Sequence, residues 1–250
     1  MAKLCKNSGF SLTEVLLAVG IIAIGMTFVA GVFPVGIYLT TVATERTIAA
    51  IVADEAFAKI RLCGVDFNRF SGTGLDDFND VLPAGVNFAS DEFAYPSDPA
   101  INISQKQYFW SAMCRQVGTG TGLVQVTVFI SRKANPNLQY PDPTGSGTVD
   151  WPMPFKVGVG SAGTNKLTIT TSTERAFIND GYTIVDDATG RIYRVLERYR
   201  TADDKILLDR NWDADTLPPN HVWVVPPPAV GGSPHGRCPC IAVYQKVIRF

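Results

Sequence analysis

Four constellations of residues in this sequence could do chemistry. The first is a junction: Gly9-Phe10, then Ser11-Leu12-Thr13-Glu14, with one carboxylate at the entrance of a long uncharged run. A charge at such an entrance costs on the order of 3 kcal/mol on insertion scales and needs a partner. No basic residue lies within one helical turn of Glu14. A cut after Gly9 would create an α-amino group at Phe10, close in sequence to that carboxylate, and a neighbouring copy could present the same amine to Glu14. The junction therefore predicts processing at Gly9 and Phe10 and assembly through Glu14.

The other three constellations carry less. His235, Cys238 and Cys240 have the spacing H-x2-C-x-C, which is not a usual zinc arrangement and has no identifiable fourth ligand, so no metal is expected. Asp203, Asp204, Asp209, Asp213 and Asp215 surround an expected hairpin and suit calcium in ligand type. They lack the EF-hand spacing, and turn and cap roles are expected instead. Arg194, Arg198 and Arg200 are expected on one strand face with Tyr193 and Tyr199 on the other, a pattern that could contact DNA. Glu197, Asp203 and Asp204 dilute that charge, so a solvated sheet face is expected and a DNA partner is not. With two histidines, His221 and His235, and no nucleophile elbow, phosphate loop or metalloprotease helix, the expectation is no enzyme and no cofactor.

These residues have to be positioned by elements. From Val15 to Leu39 the chain runs 25 residues without a charge, enough to cross a bilayer core of ~30 Å. Lys3 and Lys6 precede it, which by the positive-inside rule places the leader in the cytoplasm and the rest outside. A secretory signal would be cut after the apolar segment, whereas here the small-residue junction lies before it. Pro34 removes one backbone donor inside the run and predicts a kink. Gly20, Gly25, Gly31 and Gly36 permit close helix approach. Beyond Leu39 the pattern becomes amphipathic: Ile48, Ile51, Val52 and Ile60 recur at helical spacing, Glu55 and Lys59 form an i,i+4 pair, and Gly64 is a natural stop.

The remainder reads as β-rich. The stretch 66–105 is irregular, and Tyr108-Phe109-Trp110 opens a strand. Leu123 to Ser131 alternates Val124, Val126, Val128 and Ile130 with Gln125, Thr127 and Phe129, which predicts a strand. Asn135 to Pro154 reads as a loop. Short strands are expected at 166–171, 182–186, 191–199, 205–209 and 221–225, joined by turn chemistry as a β-meander, with a further strand at 241–250.

Net charge is −1, and loss of Lys3 and Lys6 with the leader leaves 20 basic against 23 acidic residues, a balance of −3. That balance gives no reason to expect a polyanion partner. Of five cysteines, Cys5 would leave with the leader. Cys63, Cys114, Cys238 and Cys240 form an even set that permits disulfides in an exported chain, with pairing unreadable from sequence. A bond from Cys238 or Cys240 to Cys63 or Cys114 would staple the 241–250 strand near the helix.

Gly9-Phe10-Ser11-Leu12-Thr13-Glu14-Val15 resembles the prepilin cleavage and methylation motif of type IV pilins and type II secretion pseudopilins. Leu16 to Ile37, with Ala23-Ile24-Gly25 and Phe33-Pro34-Val35-Gly36, is similar to minor pilins of the PilV and GspI kind. The resemblance implies cleavage by prepilin peptidase after Gly9, N-methylation of Phe10, and Glu14 guiding docking into a filament. Its presence argues against the tip pseudopilin class that lacks this acid.

The expected fold is α+β: a long N-terminal helix, transmembrane in its first half, packed on an antiparallel β-sheet head, with an additional all-β C-terminal subdomain. The expected divisions are a leader at 1–9, the helix at 10–63 (transmembrane about 15–39), a head at 64–156 and a β-rich segment at 157–250. The expected function is a minor pilin or pseudopilin, a structural subunit of a type IV pilus or type II secretion pseudopilus. Its expected partners are prepilin peptidase, other pilin or pseudopilin subunits and the inner membrane. It would be stored as a single-pass precursor in the bacterial inner membrane with its head outside the cytoplasm, then built into a periplasmic or extracellular filament. The alternative is a single-pass anchored β-domain binding protein that never polymerises.

Overall fold

The computed structural model describes residues 10–118, 120–145, 147–161, 163–199, 205–212, 220–232 and 237–250. Helix α1 (Leu12–Cys63) is followed, among the described residues, by antiparallel β-strands with short 3-10 turns between them, an α+β chain. Two compact units meet in sequence at Thr47 and Ile48.

In the first unit, α1 leaves its large apolar side chains exposed all round, from Leu12 at 78% and Phe28 at 70% to Leu39 at 59%. An 18-residue window of mean hydropathy 2.6 makes this helix long and apolar enough to cross a membrane. The threonines on this stretch hide their polarity. Thr27, Thr40, Thr41 and Thr44 each donate a hydroxyl to the carbonyl four residues back, at 2.8–2.9 Å.

In the second unit, α1 from Ile48 onward obeys helical periodicity. Ala49, Val52, Ala53, Ala56, Phe57 and Ile60 are buried on one face. Three alanines on that face let a sheet lie close. The helix ends where Gly64 adopts φ +73° and donates its N–H to Ile60 O at 3.0 Å, as the sequence predicts.

The sheet beneath it comprises β1 (Asp76–Asp77), β2 (Ala94–Tyr95), β3 (Tyr108–Gln116) and β4 (Leu123–Arg132). Strands β1 and β2 both pair with β3, and β3 pairs with β4, all antiparallel. Trp110, Ala112 and Cys114 of β3 and Val124, Val126, Val128 and Ile130 of β4 pack against α1. The irregular 66–105 stretch is held by its own side chains. Phe78, Val81 and Leu82 enter the same core, and Lys59 donates to Glu92 Oε2 and Ser97 Oγ at 2.7 Å while pairing with Glu55 at 3.1 Å.

A small hairpin, β5 (Tyr140–Pro141) and β6 (Thr148–Val149), precedes six strands: β7 (Phe155–Ser161), β8 (Lys166–Ile169), β9 (Thr183–Asp186), β10 (Ile192–Tyr199), β11 (Lys205–Leu208) and β12 (Asn220–Val224). They close into an antiparallel barrel in the order β10-β11-β8-β7-β12-β9. Only β9-β10-β11 follow the expected meander, because β7 and β12 intervene between β8 and β9. Val157, Val159, Leu167, Ile169, Ile184, Tyr193, Val195, Ile206, Leu208, Val222 and Val224 alternate inward to fill it. Strand β7 was not evident in the sequence, since Gly158 and Gly160 interrupt its apolar alternation. Both glycines admit a close neighbour: a Cβ there would lie 2.6 Å from Thr170 Oγ1 and 2.9 Å from Thr168 Oγ1.

Strand β13 (Cys240–Arg249) corrects the expected grouping of 241–250 with the C-terminal strands. It leaves the barrel and pairs antiparallel with β4 over Leu123 to Ser131, so the head sheet runs β1-β3-β4-β13. Its Ile248 joins the helix-facing core, and Lys246 reaches Asp54 at 3.1 Å while lying 4.4 Å over the Phe57 ring. Alternation could show that 241–250 is a strand; its partner is set by contacts far away in sequence.

Candidate functional site

The site is the start of α1. Ser11 stands just before the helix, and its carbonyl accepts from Glu14 N at 3.0 Å and Val15 N at 3.2 Å, closing the first turn. Its hydroxyl lies 2.7 Å from Thr13 Oγ1. Glu14 is the acid of that first turn, where backbone N–H groups without helical partners favour a carboxylate by about 0.3–1 kcal/mol. Its side chain makes no hydrogen bond or ion pair among the described residues. Phe10, four residues earlier, is 83% exposed. Gly9 lies outside the described residues.

Further along, α1 continues without interruption through Pro34. Proline has no N–H to give Ala30 O four residues back, so one carbonyl lacks its helical donor. Beside that point, Gly25, Ala30 and Pro34 leave an open groove walled by Ile22, Met26, Val29 and Phe33. Small residues flanked by large apolar ones suit a second apolar helix.

Residues 4–30 match the family model of the prokaryotic N-terminal methylation motif. The chain carries a prepilin-type N-terminus. The motif, followed by a long apolar helix, is consistent with the type IV pilin-like family, whose members are structural rather than enzymatic. It implies processing by prepilin peptidase and assembly with other pilins, and it is consistent with inner-membrane anchoring. No curated protein and no solved structure matches this prepilin-type chain.

The other sequence-predicted residues are dispersed. Cys63, Cys114, Cys238 and Cys240 are free thiols in this structure, so the staple envisaged from the 241–250 strand to the helix is not formed. Cys114 and Cys63 belong to the core under the helix, Cys238 packs against the barrel core, and Cys240 against the layer between barrel and sheet. Burial raises the thiol pKa of Cys114 and Cys240 well above the usual range and that of Cys238 to about 11, so these three are unreactive at neutral pH. His235, Asp203, Asp204, Asp213, Asp215 and Arg200 lie outside the described residues. Asp209 accepts from Arg194 N at 3.0 Å, a contact across to β10 rather than within a turn.

The expected arginine face is broken. A bulge between Val195 and Glu197 shifts the register, leaving Arg194 exposed while Arg198 turns back to Ile178 O at 3.3 Å and Asn179 Oδ1 at 3.2 Å. Tyr193 is inside the barrel, whereas Tyr199 lies outside it beneath the Lys166 ammonium, 5.8 Å from the ring centre.

Sequence reading also missed the residues that join barrel to sheet. Asp187, in the turn between β9 and β10, accepts from Trp223 Nε1 at 2.7 Å and Leu75 N at 3.2 Å and pairs with Lys156 at 2.7 Å. Gln245 donates to both Thr127 Oγ1 at 2.9 Å and Gly190 O at 2.8 Å, and Arg115 bonds Gln125 Oε1 at 2.7 Å and the Ala188 carbonyl. The one available signal was the polar half of the β4 alternation. Gln125 and Thr127 face the barrel rather than water.

Proposed function

We propose that the protein is a minor pilin or pseudopilin, a structural subunit of a type IV pilus or a type II secretion pseudopilus. Glu14 carries the reading: a carboxylate in the first turn of an exposed apolar helix, with no partner among the described residues, immediately after a prepilin-type junction. Residues 1–9 are then a leader removed by prepilin peptidase. Residues 10–63 are the assembly helix, 64–156 the head and 157–250 the barrel segment, whose strand β13 completes the head sheet. Cleavage frees the Phe10 amine. Glu14 of one subunit neutralises the Phe10 amine of its neighbour, and apolar helices bundle around the pair, where low dielectric strengthens the attraction. The groove at Gly25, Ala30 and Pro34 receives a neighbouring helix, and the proline loosens α1 there. The precursor is held in the bacterial inner membrane with the head outside the cytoplasm, and the assembled subunit is periplasmic or extracellular.

The test separates cleavage from assembly. Glu14→Ala should leave processing intact while reducing incorporation into sheared filaments by at least about tenfold, the effect of losing roughly 1.4 kcal/mol per contact. Normal incorporation of that variant would remove the proposed role of Glu14. Gly9→Val should stop processing, read by N-terminal sequencing. A mature chain still starting at Phe10 would count against prepilin peptidase. An unprocessed wild-type chain would favour the anchored binding protein that does not polymerise.

A further inference from the structure

A cavity of about 280 Å³ opens on the head beside β1 and β3. Phe88, Phe93 and Trp151 contribute aromatic walls, and Asp77, Asn79 and Ser111 contribute polar groups. The rings are held before any ligand arrives. Phe88 and Phe93 are 5.0 Å apart, Phe88 meets Phe78 edge-on at 5.7 Å, and Phe93 rests 4.8 Å from Trp110. The indole of Trp110 is in turn fixed by donating to Glu92 O at 3.0 Å. Trp151 stacks on Phe109, with centroids 6.3 Å apart.

Asp77 is fixed as firmly. Its backbone is in register with Met113 of β3, and its Oδ1 accepts from Asn79 N at 2.9 Å. Burial lifts its pKa to about 6, and Asp80 pushes in the same direction, so at neutral pH the group is mostly charged and poorly solvated. Among the described residues no basic side chain pairs with it. Lys59 of α1, which reaches the neighbouring 90–97 stretch, is engaged by Glu55 and Glu92. A charge left in this condition is costly, and the groups that relieve it are cations.

The size and lining decide which cation. Calcium takes 6–8 oxygens, and rings cannot supply them. A neutral hydroxylic ligand would leave the charge uncompensated. An ammonium or guanidinium gains from both the carboxylate and the ring faces. The volume lies at the lower edge of the range for small-molecule sites, about 300–1,000 Å³, which suits a group of a few carbons. We propose that this cavity binds an organic cation, a primary ammonium or guanidinium on a short apolar stem. The stem belongs either to a free amine or to a lysine or arginine side chain of another protein. This site is independent of the filament reading.

The test is a titration of the full chain in detergent micelles, followed by NMR at the Asn79 side-chain amide and the Met153 methyl group. n-Butylammonium should give saturable shifts at both, and n-butanol, similar in shape but neutral, should bind about tenfold more weakly. Asp77→Asn should erase that preference. Trp151→Leu, which leaves the carboxylate in place, should weaken butylammonium binding several-fold while preserving the order of the two probes. Tighter binding of the capped peptide Gly-Lys-Gly than of butylammonium would identify a protein side chain as the source. The reverse order would identify a free amine. Equal binding of butanol and butylammonium, no shifts with either, or an unchanged preference in Asp77→Asn would overturn the proposal.

Discussion

Helix α1 follows two opposite rules along its length. From Leu12 to Thr47 large apolar side chains point in every direction and stay exposed, with no periodic stripe. From Ile48 to Cys63 a periodic stripe of Ala49, Val52, Ala53, Ala56, Phe57 and Ile60 is covered on one face, while Ile51 and Leu62 stay exposed on the other side. Hydrophobicity alone does not separate the two stretches. The first is built for an apolar surrounding that accepts any face, and the second for one surface of matching shape.

Three measurements would break or sharpen that contrast. Phe57→Ala should have the largest effect, lowering the unfolding free energy of the head by about 3–5 kcal/mol in denaturant melts, since a fully packed ring leaves a cavity. A loss below about 1 kcal/mol would mean that the covered face of α1 is not held as described. The next concerns pH, which acts on the packed unit through Asp77. Its folded pKa of about 6 stands above the ordinary 3.8, so the folded state holds the proton more tightly. That contribution is present below pH 4 and is lost as pH rises through 6, amounting to about 2–3 kcal/mol. Head stability should therefore fall over that window, and Asp77→Asn should flatten the dependence. The smallest effect belongs to the exposed stretch: Ile24→Ala should change head unfolding by less than about 0.5 kcal/mol. A larger change would show that the exposed stretch supports the head.

How much of this was legible followed from how local each signal is. Gly64, the Glu55–Lys59 pair and strand β4 are written within a few residues and were readable. So was the prepilin-type motif, because it is confined to residues 4–30. Strand β7 was hidden by glycines that the barrel requires for close approach of Thr168 and Thr170. The burial of Gln125 and Thr127 was hidden because polar alternation normally marks a solvated face. Here that face is covered by the 187–190 turn, with Gln245 and Arg115 satisfying the buried groups. Barrel closure and the pairing of β13 with β4 depend on partners scores of residues away, which no local pattern encodes.

The path of β13 has a consequence for the order of events during synthesis. All six barrel strands leave the ribosome before it, yet β4, its partner in the sheet, leaves earlier still. The barrel can thus mature while β4 waits with an open edge. The head closes only when the chain on the far side of the barrel arrives. Both ends of the barrel are then tethered to adjacent strands of one sheet, and a tug on either is borne by a shared ladder of backbone hydrogen bonds rather than by a single flexible connection.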